Sequence, residues 1–170
     1  MDRRELEERL RSGERDFSSV DWSKCGLHGL NLTGIILVGA NLSGATLSES
    51  IFDSANLEGA CFDGAGLSDT RFRNTNLRRV NFDNSILVRS LFCMSDADDA
   101  SFKETDIRMA IFQETTLRRT IWIGGLEGDN QFVDTDFTGC NSIPHISEYA
   151  IRVIRPSGKI YTTPGLEDFG

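Results

Sequence analysis

The feature that most constrains the fold is a spacing of five residues between large apolar side chains. From Phe17 to Phe137 every fifth residue is large and apolar, and only Ala97 and Glu127 interrupt the series. A second series, of mostly small residues, precedes these positions by two. A period of five fits neither the 3.6-residue period of a helix nor the two-residue period of a strand. The pattern predicts a chain that turns a corner in every pentapeptide and buries two side chains from each.

Residues twenty apart share a side-chain type, which predicts a coil of four pentapeptides with side chains stacked in columns. One predicted core column is aromatic, and the next is aliphatic apart from Ala97: Phe52, Phe72, Phe92, Phe112 and Phe132; Leu37, Leu57, Leu77 and Leu117. Such coils bury their inner face only against neighbouring coils. At Ala97 we expect a void, or filling of the space by Met94.

Two segments carry a recognisable motif. Ala40-Asn41-Leu42-Ser43-Gly44 and Ala55-Asn56-Leu57-Glu58-Gly59 fit the pattern A(D/N)LXX, so the sequence resembles the pentapeptide-repeat family over about residues 15–142. The resemblance implies an all-β solenoid: a right-handed, quadrilateral (four-sided) parallel β-helix of about six coils. The entry into the repeat at residues 10–17 is closest in look to cyanobacterial members of unassigned function.

The ends of a solenoid need caps, because an open coil exposes its core and its strand edges. Asp2 and Glu5 have capping-box spacing, Leu6 and Leu10 form an i, i+4 apolar pair, and Gly13 follows. We predict a helix over residues 3–11. The predicted regions are an N-terminal helical cap (1–15), the repeat β-helix (16–142) and a C-terminal capping segment (143–170).

The repeat ends after Cys140, and all three prolines lie beyond it. The sequence around 155–158, Arg-Pro-Ser-Gly, predicts a turn between two short strands at 151–154 and 159–162. The segment also carries several large apolar groups, which gives the alternative that it forms a dimer interface: Tyr149, Ile151, Ile154 and Tyr161. Both a monomer and a dimer through this segment stay open.

Residues 123–130 replace one pentapeptide with three glycines, two acids and no usable inward residue. Burying an unpaired Glu127 carboxylate would be costly. We therefore expect a bulging loop in which Leu126 turns inward, either as a contact for a partner or as a tolerated insertion.

The sequence offers no catalytic, cofactor-binding or metal-binding set of residues. The two histidines, His28 and His145, have no nucleophile beside them. The predicted coil separates the four cysteines too widely for disulfides or zinc, which favours a reducing, cytoplasmic location: Cys25, Cys61, Cys93 and Cys140. We expect a protein that is not an enzyme.

Net charge argues against direct binding of nucleic acid or anionic membrane, since the 170 residues carry a charge of -8. The longest apolar run is far shorter than the ~20 residues that span a bilayer. The charged start of the sequence also lacks the apolar region of a secretory signal, so we expect no export.

Arginine is concentrated in residues 71–120, which carry nine basic and seven acidic side chains. Arg78-Arg79, Asp98-Asp99 and Arg118-Arg119 recur twenty residues apart, which predicts an alternating ladder of ion pairs. The alternative is a partner-binding face, since arginine is enriched at interfaces. That face would comprise Arg71, Arg73, Arg78, Arg79, Arg89, Arg108, Arg118 and Arg119.

Two functions remain. The first is a scaffold that binds another protein along one face of the solenoid. The second follows from the resemblance, because well-known family members mimic DNA and bind DNA gyrase. DNA carries a charge per ~1.7 Å, so a mimic about 29 Å long would need roughly 17 negative charges. Residues 17–137 sum to only -7, from -5, +2 and -4 in segments 17–70, 71–120 and 121–137, which places mimicry second.

Overall fold

A computed structural model describes residues 3–142, 144 and 153–161. Helix α1 spans Arg3–Arg11, as predicted. Its Leu6 is 1% exposed and belongs to the core, and Gly13, with φ +92°, follows the last turn. Arg3 donates from Nη1 to the carbonyl of His28 at 2.6 Å, which fastens the helix to the first coil. The predicted capping residue Asp2 lies outside the described residues.

The rest of the chain is a parallel β-solenoid with a repeat of twenty residues. Asp16 pairs with Ile36, Ile36 with Asn56, and the series continues at the same spacing to Thr116 with Asp136. Backbone hydrogen bonds join successive coils, as from Phe17 N–H to the Ile36 carbonyl at 2.8 Å. Because each coil lies on the next, it satisfies backbone groups that a single coil would leave exposed.

Extended strands form only in the later coils. The strands are β1 Arg71–Arg73, β2 Leu91–Cys93, β3 Ser101–Lys103, β4 Ile111–Gln113, β5 Ile121–Ile123, β6 Gln131–Val133, β7 Val153–Ile154 and β8 Ile160–Tyr161. In the first sheet the parallel strands have the order β1-β2-β4-β6, in the second β3 pairs with β5 in parallel, and in the third β7 pairs with β8 antiparallel. Regular strands thus cover about three turns, from β1 to β6, and not the six predicted. Single bridges join the earlier coils.

Two local features form the corners, the first in many pentapeptides and the second throughout the repeat. An Asn or Asp just before the inward residue accepts a hydrogen bond from the backbone two residues on, as Asn41 Oδ1 does from Ser43 N–H at 3.1 Å. The second residue after the inward one has positive φ, as at Gly44 (65°) and Arg79 (57°). This explains the D/N of the motif and the recurrence of glycine at the corner.

Two stacks of aromatic rings fill the centre. In the Phe72 column, neighbouring rings stack with centroids 4.5 to 5.4 Å apart. Rings of the column at Phe62, Phe82 and Phe102 stack likewise and meet the first column edge to face. The predicted aromatic and aliphatic core columns are buried throughout, which confirms them.

Buried hydroxyl groups at the small inward positions bond back to the previous coil. Thr75 Oγ1 donates to the Phe52 carbonyl at 2.8 Å, and Ser95 Oγ donates to the Phe72 carbonyl at 2.8 Å. These bonds satisfy polar atoms inside the core and tie adjacent coils together.

Two local expectations are wrong. Met94 does not fill the space at Ala97, because its side chain is 38% exposed while Ala97 is buried. Residues 123–130 do not bulge: Leu126 pairs with Asp106 in register, and Leu126 is 54% exposed. Gly125, with φ +88°, permits this path, since an added Cβ would meet the Thr105 carbonyl oxygen at 2.3 Å.

The last coil is covered in two ways. The hairpin β7–β8 sits on it through Ile154, whose N–H donates to the Thr135 carbonyl at 2.8 Å. Asn141 covers β5, because its amide accepts from Trp122 N–H at 3.1 Å and donates to the Trp122 carbonyl at 3.3 Å. A C-terminal capping role fits these contacts. His145, Tyr149 and Ile151 lie outside the described residues, as does the predicted dimer interface in large part.

Candidate protein-binding surface

The eight candidate arginines do not share one surface. Arg71 and Arg73 flank Phe72 on β1. Arg78, Arg79, Arg118 and Arg119 follow the Leu77 column, whereas Arg89 and Arg108 follow the next aliphatic column, which contains Leu87 and Ile107. The predicted single arginine face is therefore wrong, because consecutive pentapeptides of a coil point in different directions.

The ladder interpretation is confirmed beside the Leu77 column. Asp98 has no exposed side-chain surface and lies 2.6 Å from Arg118 Nη2, with Arg78 and Arg119 each at 3.5 Å. Its Oδ1 also accepts from Arg118 N–H at 3.0 Å. A buried carboxylate needs such partners. Asp98 is thus the centre of a side-chain cluster that joins three coils.

Most remaining arginines pair within the protein too. Arg71 binds Asp53 (Nη2 to Oδ2 2.7 Å), Arg89 binds Asp69 (2.6 Å) and Arg108 binds Asp106 (2.7 Å). Arg79 pairs with Glu58. Only Arg73 of the eight has no carboxylate partner in the described part of the chain. These pairs compete with any external carboxylate.

The pairs alter the titration of the carboxyl groups. The guanidinium bound to each carboxylate lowers the pKa of Asp69, Asp99 and Asp106 below the ordinary value, because it favours the charged form. These acids therefore stay ionised near neutral pH and hold their arginines in place.

Exposed apolar side chains, rather than arginines, mark a distinctive surface. Residues 17–85 expose no large apolar side chain, whereas six are exposed between 86 and 126: Ile86, Met94, Met109, Ile121, Ile123 and Leu126. Three of them lie beside the Leu87 column. Contiguous exposed apolar groups mark interaction sites on soluble proteins.

We define the Met109 surface as Ile86, Arg89, Met109, Leu126 and Asp129. Ile86 and Leu126 stand two coils apart in one line, since each pairs with Asp106. Arg89, Met109 and Asp129 form a second line along a shallow groove. Ile86, Met109 and Leu126 are 48%, 49% and 54% exposed. The surface thus presents apolar groups between a cation and an anion.

The repeat itself held the signal for this surface. Asn, Asp, Thr or Gly commonly occupies the position before the inward residue, and Gly, Asn or Asp suits the positive-φ corner. Ile86 and Leu126 stand at the first of these positions, and Met109 stands at the second with φ 61°. A large apolar residue at the corner, as at Met109, thus departs from what the backbone favours, whereas Ile86 and Leu126 stand out by their exposure.

The described residues contain no group of three or more His, Cys, Asp and Glu side chains arranged to hold a metal ion. His28 is exposed on the first coil. All four cysteines are free, and Cys140 is buried and donates to the Leu117 carbonyl at 2.9 Å. Among the described helices none has the length and apolar character to cross a bilayer.

The chain is similar to known repeat proteins in sequence and in fold. The family model for pentapeptide repeats matches residues 25–64 and 65–90, in eight copies. No curated protein matches the chain. Among solved structures, QnrB1, a plasmid-mediated fluoroquinolone resistance protein, is 19% identical over 80% of this chain and 76% of its own, with a TM-score of 0.48.

Two cyanobacterial structures are also similar. HetL from Nostoc sp. strain PCC 7120, a pentapeptide repeat protein involved in heterocyst differentiation regulation, is 16% identical over 95% of this chain and 100% of its own, with a TM-score of 0.37. A further pentapeptide repeat protein from Nostoc is 26% identical over 56% of this chain and 80% of its own, with a TM-score of 0.34.

Proposed function

This chain belongs to the pentapeptide-repeat family, and from that premise we propose that it is a non-catalytic scaffold that binds another protein through the Met109 surface. The observation that carries the proposal is the exposure of Ile86, Met109 and Leu126 along one side of the later coils. Apolar groups left in water there gain about 25 cal/mol for each Å² that a partner covers.

The scaffold role also agrees with how the charged residues are used. Arg78, Arg118 and Asp98 bind one another across coils, beside a different column from the Met109 surface. Beneath the Met109 surface, backbone pairing of Ile86 and Leu126 with Asp106 joins the coils, and preorganised surfaces lose less entropy on binding than flexible ones. Catalysis is not part of the proposal, and the charged groups serve structure instead.

The proposal includes the finer geometry that the family implies, a right-handed, four-sided coil. The unbroken pairing of residues twenty apart from Asp16 to Asp136 agrees with four pentapeptides in each coil. It also includes a reducing, cytoplasmic setting, which the four free cysteines favour. A cyanobacterial source stays a hypothesis drawn from resemblance.

Mimicry of DNA, with gyrase as partner, is the alternative. It requires uncompensated negative charge along the solenoid. In segment 17–70, however, Asp53, Glu58 and Asp69 each pair with an arginine of the following coil. Charge that is neutralised within the protein is not available to a DNA-binding partner. A supercoiling assay with purified gyrase tests this alternative, and altered supercoiling would place it first.

Photo-cross-linking inside the source cells tests the scaffold. Benzoylphenylalanine replaces Leu126 in one variant and Thr46 in the other, because both positions lie in the same line of the repeat and are exposed. We expect adducts with protein at position 126 and none at position 46. Absence of adducts at both positions, or equal adducts at both, would contradict the proposal.

A further inference from the structure

The Met109 surface is complementary to itself when inverted. Its first line contains Ile86 and Leu126 on either side of Asp106. Successive residues of its second line are Arg89, Met109 and Asp129, a cation, an apolar group and an anion. When the surface is inverted about the level of Met109, the positions of Arg89 and Asp129 are exchanged, so a cation lies where an anion was. The positions of Ile86 and Leu126 are also exchanged, and both remain apolar.

We infer that the partner of this surface is a second copy of the same chain, packed antiparallel about a twofold axis at the level of Met109. This inference rests on the proposed function of the surface as a protein-binding site. Such an axis lies in the interface and runs perpendicular to the solenoid axis. It reverses the order of the coils and places each line opposite the same line of the second copy. Self-complementary contacts are what such an interface requires.

The operation brings matching groups together. Met109 meets Met109 of the second copy, and Ile86 meets the exposed Leu126 of the second copy. Arg89 meets Asp129 of the second copy, and the pair occurs twice. Asp129 has no ion-pair partner within the described residues, so the contact supplies one.

Arg89 is able to accept this second carboxylate. Asp69 engages its Nε at 2.7 Å and its Nη2 at 2.6 Å, whereas Nη1 donates no hydrogen bond within the described chain. The side chain is also 52% exposed. The free Nη1 donor is thus available to Asp129 across the interface, because the planar guanidinium group carries five N–H donors and Asp69 engages only some of them.

The centre of the interface carries a neutral pair. Asp106 and Arg108 bind each other within one coil, from Nε to Oδ1 at 2.9 Å and from Nη2 to Oδ2 at 2.7 Å. On the axis, this pair lies opposite the same pair of the second copy. Because the two charges cancel within each copy, the pair adds no net charge at the centre of the interface.

The self-association should be weak, because one side of the solenoid is narrow and buries little surface. A face about one pentapeptide wide and a few coils high buries less than the ~800 Å² per partner of a standard interface. We expect a dimer dissociation constant on the order of 10 to 100 µM, and weaker association at high salt because two ion pairs contribute.

Sedimentation velocity over a concentration series measures this association. The wild type should dimerise across the series, and Leu126→Asp should raise the dissociation constant at least tenfold. Thr46→Asp is the matched control, since it adds the same charge in the same line on an early coil, and it should leave the constant unchanged. A circular dichroism melt of each variant establishes that it is folded.

Charge reversal tests the antiparallel arrangement itself. Arg89→Asp alone opposes two carboxylates, and Asp129→Arg alone opposes two guanidinium groups, so each variant should be monomeric. A mixture of the two, or the double variant Arg89→Asp, Asp129→Arg, should dimerise again. Recovery requires contact between these two positions in different copies, which a general loss of stability would not produce.

The outcomes separate this inference from the proposed function. A wild type that stays monomeric at several hundred micromolar, or a failure of mixing and of the double variant to restore dimers, overturns the self-association. If Leu126 then still cross-links to a different protein in cells, the scaffold proposal stands without it. Monomers combined with no adducts would remove both.

Discussion

The early coils (17–66) and the later coils (67–137) build the same backbone from different residues. In the early coils glycine holds most positive-φ corners, with φ between 64° and 69°. In the later coils larger side chains hold corners of nearly the same φ, among them Arg79, Arg89 and Met109. Non-glycine residues in this region cost about 1 kcal/mol each. The later coils therefore accept strain in return for side chains that project from the corners.

The contacts between coils differ in the same way. Early coils are joined by side-chain amides such as Asn41 Nδ2 to Asp21 Oδ1 at 3.1 Å, with single backbone bridges between them. Later coils add strands and ion pairs, as between Arg119 and Asp99 at 2.6 Å. The side chains of the early coils thus serve the stacking of coils, whereas the later coils also carry the exposed apolar side chains of the Met109 surface.

The largest expected effect concerns the core. Phe92 stacks between Phe72 at 4.9 Å and Phe112 at 4.5 Å, so Phe92→Ala should destabilise the protein by about 3 to 5 kcal/mol. Leu32→Ala, in the same column of an early coil, should cost less, about 2 to 4 kcal/mol. Urea unfolding measures both. Equal losses would show that the aromatic stack adds nothing beyond burial.

The sequence determined the stacking but not the surface. Period and column composition predict the inward residues because only large and small apolar groups pack inside a coil. Phe92 and Leu57 were placed correctly on that ground alone. The ladder of Arg118 with Asp98 also followed, because residues twenty apart are neighbours.

Outward residues were harder to predict, because several partners compete for each. Arg79 binds Glu58 on the preceding coil, although Asp99 stands equally close in sequence register. The 123–130 segment keeps its register because Gly125 accepts close approach to Thr105, a contact that glycine spacing alone does not reveal. Met109 holds the corner position that glycine holds in many other pentapeptides, but the sequence alone does not show that its side chain is 49% exposed.

Removing the charge of the buried Asp98 sharpens the comparison of coil contacts. Asp98→Asn keeps an acceptor for the Arg118 N–H but removes the charge that three arginines share. We expect a loss of about 1 to 3 kcal/mol in urea unfolding. Glu58→Gln is the control, because Glu58 is partly exposed and such pairs contribute about 0 to 1 kcal/mol. Equal effects would mean that burial of Asp98 has no consequence.

Acid should weaken the later coils. Arginine lowers the pKa of Asp69, Asp99 and Asp106 in the folded state, so these pairs stabilise the fold above the unfolded pKa near 4 and lose that effect as pH falls through the lower folded values. The side chains of Asp69 and Asp99 are 39% and 35% exposed, and water screens such pairs, so the thermal midpoint should change by on the order of a few °C.

Thermal melts of the wild type and of two arginine variants at pH 6 and pH 2.5 test the contribution of these ion pairs. Arg89→Gln removes the pair with Asp69, and Arg119→Gln removes the pairs with Asp99 and Asp98. Each variant should lose less stability between the two pH values than the wild type. An identical pH dependence in the wild type and both variants would mean that the pairs do not contribute to stability.

The smallest effect should have the opposite sign. Met109 holds a corner at φ 61° with its side chain 49% exposed, so Met109→Gly should relieve left-handed strain and stabilise the monomer by about 0.5 to 1 kcal/mol. The same change removes the apolar centre of the Met109 surface and should weaken self-association in sedimentation. Glu49→Gly, at a corner of the same line with φ 61°, should raise the melting midpoint similarly and leave association unchanged. A Met109→Gly variant that is less stable than the wild type would mean that the corner side chain supports its own coil, and the division between stacking residues and surface residues would fail at that position.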